Sequence, residues 1–236
     1  VSRGSPPAVY AAPKAIGSPW MGRLAAAGKR TYGRTVPRSV PPSSKPDQPP
    51  SRGTRRAPKS TASGAVFVGR EQELGQLVDA LESAFAGRGR MVFLSGEPGI
   101  GKSWLADALA AEARARGATV VWGRCWEAGG APAYWPWLQS FRSLARGLSQ
   151  TRLRSALGLG APELARVLPE LGSVRPDAPS PADVDPETSR FRLFDAATMF
   201  LKRSAVHRPI VVILDDLHAA DAPSLLLLRF VANELA

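Results

Sequence analysis

The octapeptide Gly96-Glu97-Pro98-Gly99-Ile100-Gly101-Lys102-Ser103 matches the phosphate-loop pattern G-x-x-x-x-G-K-[ST] at every specified position. Residues of these types at this spacing suit one chemistry, the holding of a phosphate chain together with a divalent cation. Glycines let backbone N–H groups turn inward around phosphate oxygens, where side chains would obstruct them. In this pattern Lys102 reaches the outer phosphates and the Ser103 hydroxyl ligates Mg²⁺. A second set lies far downstream, where Asp215 and Asp216 follow the apolar run Ile210-Val211-Val212-Ile213-Leu214. That is the Walker B pattern. Asp215 is expected to support Mg²⁺ through its water ligands, because Mg²⁺ dehydrates reluctantly. Asp216 is expected to polarise an attacking water. Adjacent carboxylates also occur at ordinary helix caps, so the pair takes its meaning from the intact loop upstream. His218 has two readings, a structural one and one that couples the site to the outermost phosphate. His207 has no companion residues and no chemical role is assigned to it.

This chemistry needs a strand, a glycine-rich turn and a helix N-terminus in that order. Met91-Val92-Phe93-Leu94-Ser95 supplies the strand, and the Ala- and Leu-rich residues 104–116 supply the helix. The positive end of that helix adds to the phosphate site. Gly117 then breaks the chain, and Ala118-Thr119-Val120-Val121-Trp122-Gly123 reads as the next strand, completing a βαβ unit with parallel strands. The run 210–214 is continuous and apolar, as a strand covered on both faces requires, and it delivers both aspartates to the strand's carboxyl end.

Helices should flank these strands. Leu74, Leu77, Val78, Leu81 and Phe85 recur at spacings of three and four. Further helices are expected over 138–148, around 162–168, and from 187 or 188 to 204, the last with Phe191, Phe194, Ala197 and Leu201 on one face. Residues 172–186 carry four prolines and read as an exposed connection. A closing apolar helix over 223–235 has Asp221 as its N-cap. Trp126, Tyr134, Trp135 and Trp137 crowd the loop between the second strand and the next helix. Core packing accounts for such a cluster; a ligand-sensing or docking surface is the alternative.

The chain has 236 residues and a formal net charge of +11. Residues 1–64 hold 12 Lys and Arg against one acid, Asp47, whereas 65–236 hold 19 of each sign. The excess charge therefore belongs to the tail. With 11 of the 22 prolines and no apolar periodicity, residues 1–64 are expected to be disordered. A basic arm for polyanions, an organelle transit peptide, upstream sequence preceding an initiator at Met21, and a solvated tail without a role all fit it. Cys125 is the sole cysteine, which rules out an internal disulfide and a cysteine-based zinc site and suits a reducing cytoplasm. The longest apolar runs are far too short for a membrane span.

Val66-Phe67-Val68-Gly69-Arg70-Glu71 resembles the hhGRE motif that precedes the P-loop in STAND-class signalling ATPases of the AAA+ superfamily. Residues 96–103, Ile213-Leu214-Asp215-Asp216-Leu217-His218 and Ala131-Pro132-Ala133-Tyr134-Trp135-Pro136-Trp137 are similar to the same family. Residues 65–236 look most like the ATP-binding region of large LuxR-type bacterial transcriptional regulators. The resemblance implies an α/β fold, the P-loop NTPase three-layer sandwich with a parallel sheet, behind a disordered tail. It implies ATP and Mg²⁺ as ligands; no guanine-reading NKxD motif is present. Carried over position by position, it places Val68, Gly69 and Arg70 beside the adenine or ribose. Gly96, Glu97, Pro98, Gly99, Ile100, Gly101, Lys102, Ser103 and Trp104 would hold the nucleotide, Ser103 and Asp215 the Mg²⁺, and Lys102 and Asp216 would serve catalysis. Many relatives have Trp where this chain has Ala219, a difference that touches packing and not the carboxylates.

Five parallel strands are expected in such a sheet, and only three are legible, at 91–95, 118–122 and 210–214. A truncated domain of a longer protein accounts for that. The leading functional expectation is a slowly hydrolysing ATP switch in the cytoplasm that self-associates in its ATP state. Any contact with DNA would come through a domain outside this chain. A nucleotide-independent scaffold and an ATPase module fused to a cyclase or kinase are the alternatives.

Overall fold

A computed structural model of the chain describes residues 69–127, 130–174 and 184–235, together with the backbone of a strand at Ala8–Ala12. Four strands run β1 (Ala8–Ala12), β2 (Met91–Ser95), β3 (Thr119–Arg124) and β4 (Ile210–Asp215). Seven helices accompany them among the described residues. These are α1 (Glu71–Phe85), α2 (Lys102–Ala115), α3 (Trp135–Gly147), α4 (Gln150–Leu157), α5 (Ala161–Ala165), α6 (Pro186–Ser204) and α7 (Ala222–Glu234).

Strands β3 and β4 pair in parallel, with Val120 opposite Val211, Val121 opposite Val212 and Arg124 opposite Asp215. Alternation along a strand sends successive side chains to opposite faces, and both faces of this pair are covered. Val120 and Val211 pack with Leu81 of α1 and Leu109 and Ala113 of α2. Val121, Ile210, Val212 and Leu214 join the larger core built by α3 to α7 around Trp137, Phe141, Leu164 and Phe200. Helices thus lie on both faces of the parallel pair, as its apolar runs require.

The first strand of the expected parallel sheet departs from that arrangement. Strand β2 bonds to neither β3 nor β4; it pairs antiparallel with β1. A cleft of about 870 Å³ separates it from β4, lined by Val92 and Phe93 on one side and Val212 and Leu214 on the other. One long edge of β4 therefore borders open space, and all six of its residues are only half-buried instead of fully enclosed. Within 1–64 a strand is described at Ala8–Ala12. A strand edge carries unpaired N–H and C=O groups, and even a short extended segment satisfies them. The rest of 1–64 lies outside the described residues.

Several boundaries moved for local reasons. Helix α3 begins at Trp135, ahead of the expected 138, with Pro136 in its first turn where the missing N–H costs nothing. Tyr134 takes a left-handed conformation at its N-cap, φ 66°, and donates its N–H to Asp221 Oδ1 at 3.2 Å. Helix α4 was not legible in the sequence; Ser149 caps it by accepting the Arg152 N–H. Asp185 caps α6 through the N–H groups of Thr188 and Glu187; the Thr188 backbone and side chain foremost, then the Glu187 N–H, hold its carboxyl below the usual range. Phe191 is not on the buried face with Phe194 and Ala197. It is 60% exposed and meets Phe230 edge to face at 5.5 Å. The expected connection at 172–186 is described only at its ends, with a short 3-10 segment over Pro169–Val174.

Candidate functional site

The phosphate loop is presented as its sequence requires. Gly96, Glu97, Pro98 and Gly99 are exposed at the carboxyl end of β2. Gly101 forms the N-cap of α2 at φ 98°, a backbone conformation that side chains strongly disfavour. No side chain caps this helix, and its first internal bond runs from Leu105 N–H to Gly101 C=O at 3.1 Å. A 14-residue helix with an uncapped amino end facing an open loop is chemically suited to an anion. The Lys102 ammonium is folded back onto this loop. It donates to the carbonyls of Gly96 at 3.0 Å and Glu97 at 2.9 Å. Ser103 is exposed beside it and Trp104 is half-buried.

Arg70 supports the loop from behind. Its guanidinium donates to Ile100 C=O at 3.0 Å and pairs with Glu73 at 3.0 Å, with both side chains largely shielded. Gly69 adopts φ 99° and donates its N–H to Glu71 Oε1 at 3.3 Å. Backbone N–H groups of Glu71 and Gly69 hold the Glu71 carboxyl below its usual range. The segment before α1 is thus tied to the phosphate loop by a side chain 30 positions away. Val68, with Val66 and Phe67, lies outside the described residues.

At the far ends of β3 and β4, parallel pairing sets Arg124 against the two aspartates. Its guanidinium lies 3.2 Å from Asp215 Oδ2 and 3.9 Å from Asp216 Oδ2. Gln139 of α3 grips the same strand end, donating to Arg124 C=O at 2.8 Å and accepting its N–H at 3.4 Å. Asp216 stands at φ 57°, an uncommon conformation for a residue with a side chain, and donates its N–H to Asp215 Oδ1 at 3.0 Å. His218 follows in a short 3-10 turn, Leu217–Ala219, and its Nε2 meets Glu127 Oε1 at 2.9 Å. Arg124, Gln139 and Glu127 were not identifiable from sequence. Arg124 acts across the parallel pair, Gln139 from a neighbouring helix and Glu127 from the turn after β3, and which residue faces Asp215 follows from register alone.

The aromatic loop mainly builds core. Trp137 is 2% exposed and donates Nε1–H to Ser224 C=O at 3.0 Å, locking α3 to α7. Asp221, predicted as the N-cap of the last helix, accepts the Ser224 N–H at 2.9 Å and also holds Tyr134. Gly123 makes the close approach possible, since a Cβ there would stand 2.0 Å from the Pro136 carbonyl oxygen. Trp126 alone of this group is mostly exposed, at 57%.

Cys125 is buried just after β3. Burial, with the charges of Asp221, Asp216 and Asp215, pushes its thiol up to about 11. The thiolate is the reactive form. Iodoacetamide at pH 8 should therefore label the folded protein about 100-fold more slowly than an unperturbed thiol, with full labelling restored in urea. The folded state keeps this proton while the unfolded chain releases it near pH 9, so stability should fall between pH 9 and 11.

Residues 66–236 match the family model of the AAA ATPase domain. The chain belongs to that family. Membership implies a P-loop α/β fold that binds ATP, usually with Mg²⁺. No curated protein and no solved structure matches the chain significantly. Among the described residues no helix of this AAA domain is long and apolar enough to cross a membrane. The donor set fits a magnesium nucleotide. The loop is open, the helix end above it is uncapped, and carboxylates stand at the carboxyl edge of the parallel pair.

Proposed function

We propose that this AAA domain is the ATP-dependent switch of a STAND-class signalling protein of the LuxR-type regulator kind, hydrolysing slowly. The observation that carries the reading is that the cation of each motif is held by this chain's own groups. Lys102 is engaged with its own loop carbonyls, and Arg124 is engaged with Asp215 and Asp216. Phosphates entering the loop would compete with its carbonyls for Lys102, so binding is coupled to rearrangement of the loop. The Arg70 tie to Ile100 carries that rearrangement to the segment ahead of α1.

In this reading residues 96–103 hold the phosphates through backbone N–H groups, with Trp104 continuing the helix beneath them. Gly69 and Arg70, with Val68, border the base and ribose. Ser103 and Asp215 hold Mg²⁺, which supplies charge neutralisation on the phosphates when bound. Lys102 stabilises charge on the outer phosphate and Asp216 orients water and accepts its proton.

Asp216→Ala should then lower phosphate release by about 100-fold or more while ATP affinity stays within a few-fold, because general-base groups act on turnover. Unchanged turnover would remove Asp216 from this role. The switch itself is tested by light scattering with ATP, with ADP and without nucleotide. A larger particle in ATP alone is expected. Identical masses in all three states would overturn the switch and leave ATP binding standing.

A further inference from the structure

Glu127, Asp216 and His218 converge from two loops at the carboxyl edge of the parallel pair. Each offers one ligand atom, and the three atoms lie within 4.8 Å of one another. We propose that these three side chains form a binding site for a borderline divalent ion, zinc foremost, separate from the magnesium position at Ser103 and Asp215. The site shares Asp216 with the nucleotide reading and adds Glu127 and His218, which that reading does not use.

The donor set selects the ion. One imidazole nitrogen with two carboxylates suits zinc and its first-row neighbours, whereas Mg²⁺ takes oxygen ligands. Zinc bonds nitrogen and carboxylate oxygen at about 2.0–2.2 Å, which in tetrahedral geometry puts neighbouring ligand atoms roughly 3.3–3.6 Å apart. His218 Nε2 and Glu127 Oε1 are now joined by a 2.9 Å hydrogen bond, which opens slightly to admit an ion between them. Asp216 completes a three-ligand face, leaving further positions for water. The Glu127 and His218 side chains are 67% and 69% exposed, so both adjust around an ion without disturbing the core. Asp216 is held more firmly, by its left-handed backbone and the 3-10 turn after it. Asp215 and Arg124 are the other charges facing it; Arg124 stands 3.9 Å from its carboxylate and yields to a divalent ion that neutralises the same oxygen more closely.

The test is a zinc titration of the nucleotide-free 236-residue chain against a chromophoric chelator, in buffer without Mg²⁺. One ion with micromolar Kd is expected. His218→Ala and Glu127→Gln should each weaken it by about tenfold or more, since even indirect partners of a metal site are worth that much. His207→Ala and Cys125→Ala should leave it unchanged, which separates this site from the chain's other histidine and its cysteine. Circular dichroism of each variant checks that the fold is kept. The proposal is overturned if the wild type takes no zinc from the chelator. It is equally overturned if His218→Ala and Glu127→Gln bind as the wild type does, or if binding is lost only in His207→Ala or Cys125→Ala.

Discussion

Lys102→Ala is expected to weaken ATP binding by roughly 10- to 150-fold, the equivalent of about 1.5–3 kcal/mol for losing hydrogen bonds to a charged group. Isothermal titration with ATP and Mg²⁺ measures it. The effect should fall on binding and spare the fold. Lys102 reaches only two exposed loop carbonyls, Gly96 and Glu97, which water can satisfy once the ammonium is gone. Stability should therefore change by no more than about 0.5 kcal/mol, as for other surface substitutions. Lys102→Arg separates charge from shape. A planar guanidinium keeps the charge but not the compact ammonium geometry, so partial affinity at most is expected. If Lys102→Ala binds ATP as tightly as the wild type, residues 96–103 are not the phosphate site.

The second large effect concerns stability. Trp137→Ala should cost about 3–5 kcal/mol for the lost core volume. It also deprives the buried Ser224 carbonyl of its donor, worth about 1–3 kcal/mol more. Against a total of about 5–15 kcal/mol for a domain, this brings the protein to the edge of unfolding. The ring links three elements: it stacks tilted on Phe141 of its own helix at 5.8 Å, belongs to the cluster that includes Val121 of β3, and bonds to α7. Urea unfolding followed by far-UV circular dichroism reads the loss. Trp137→Phe restores most of the apolar volume but not the donor, so it should recover the larger part of the deficit. Equal losses in both variants would mean that the hydrogen bond, and not the volume, carries the contribution.

These two residues mark what could be read in advance. Lys102 announces itself because its neighbours in sequence are also its neighbours in space; a phosphate loop is local, and eight consecutive residues hold its chemistry. The same is true of Asp221, whose capping of α7 is an interaction three residues long. Trp137 could be seen only as one aromatic among several. Its partner Ser224 is 87 positions away, and nothing in the alternation of apolar residues selects it. Arg124 is the sharper case. As a basic residue at a strand end it carries no signal, yet parallel pairing sets it against Asp215 and makes it part of the site.

The sequence by itself determined the phosphate loop, the strand that ends in Asp215, the helical flanks and the concentration of positive charge in the first 64 residues. All of these are written in residue type and short-range period. Only the tertiary structure decided that β2 pairs with Ala8–Ala12 across from a cleft instead of with β4, that Arg70 braces the loop, and that Glu127, Asp216 and His218 meet. Those outcomes depend on which strand edges and loops are brought together. Short segments specify their own conformation well, but partners far apart in the chain are chosen by packing and register, and a one-residue change of register replaces every partner at once.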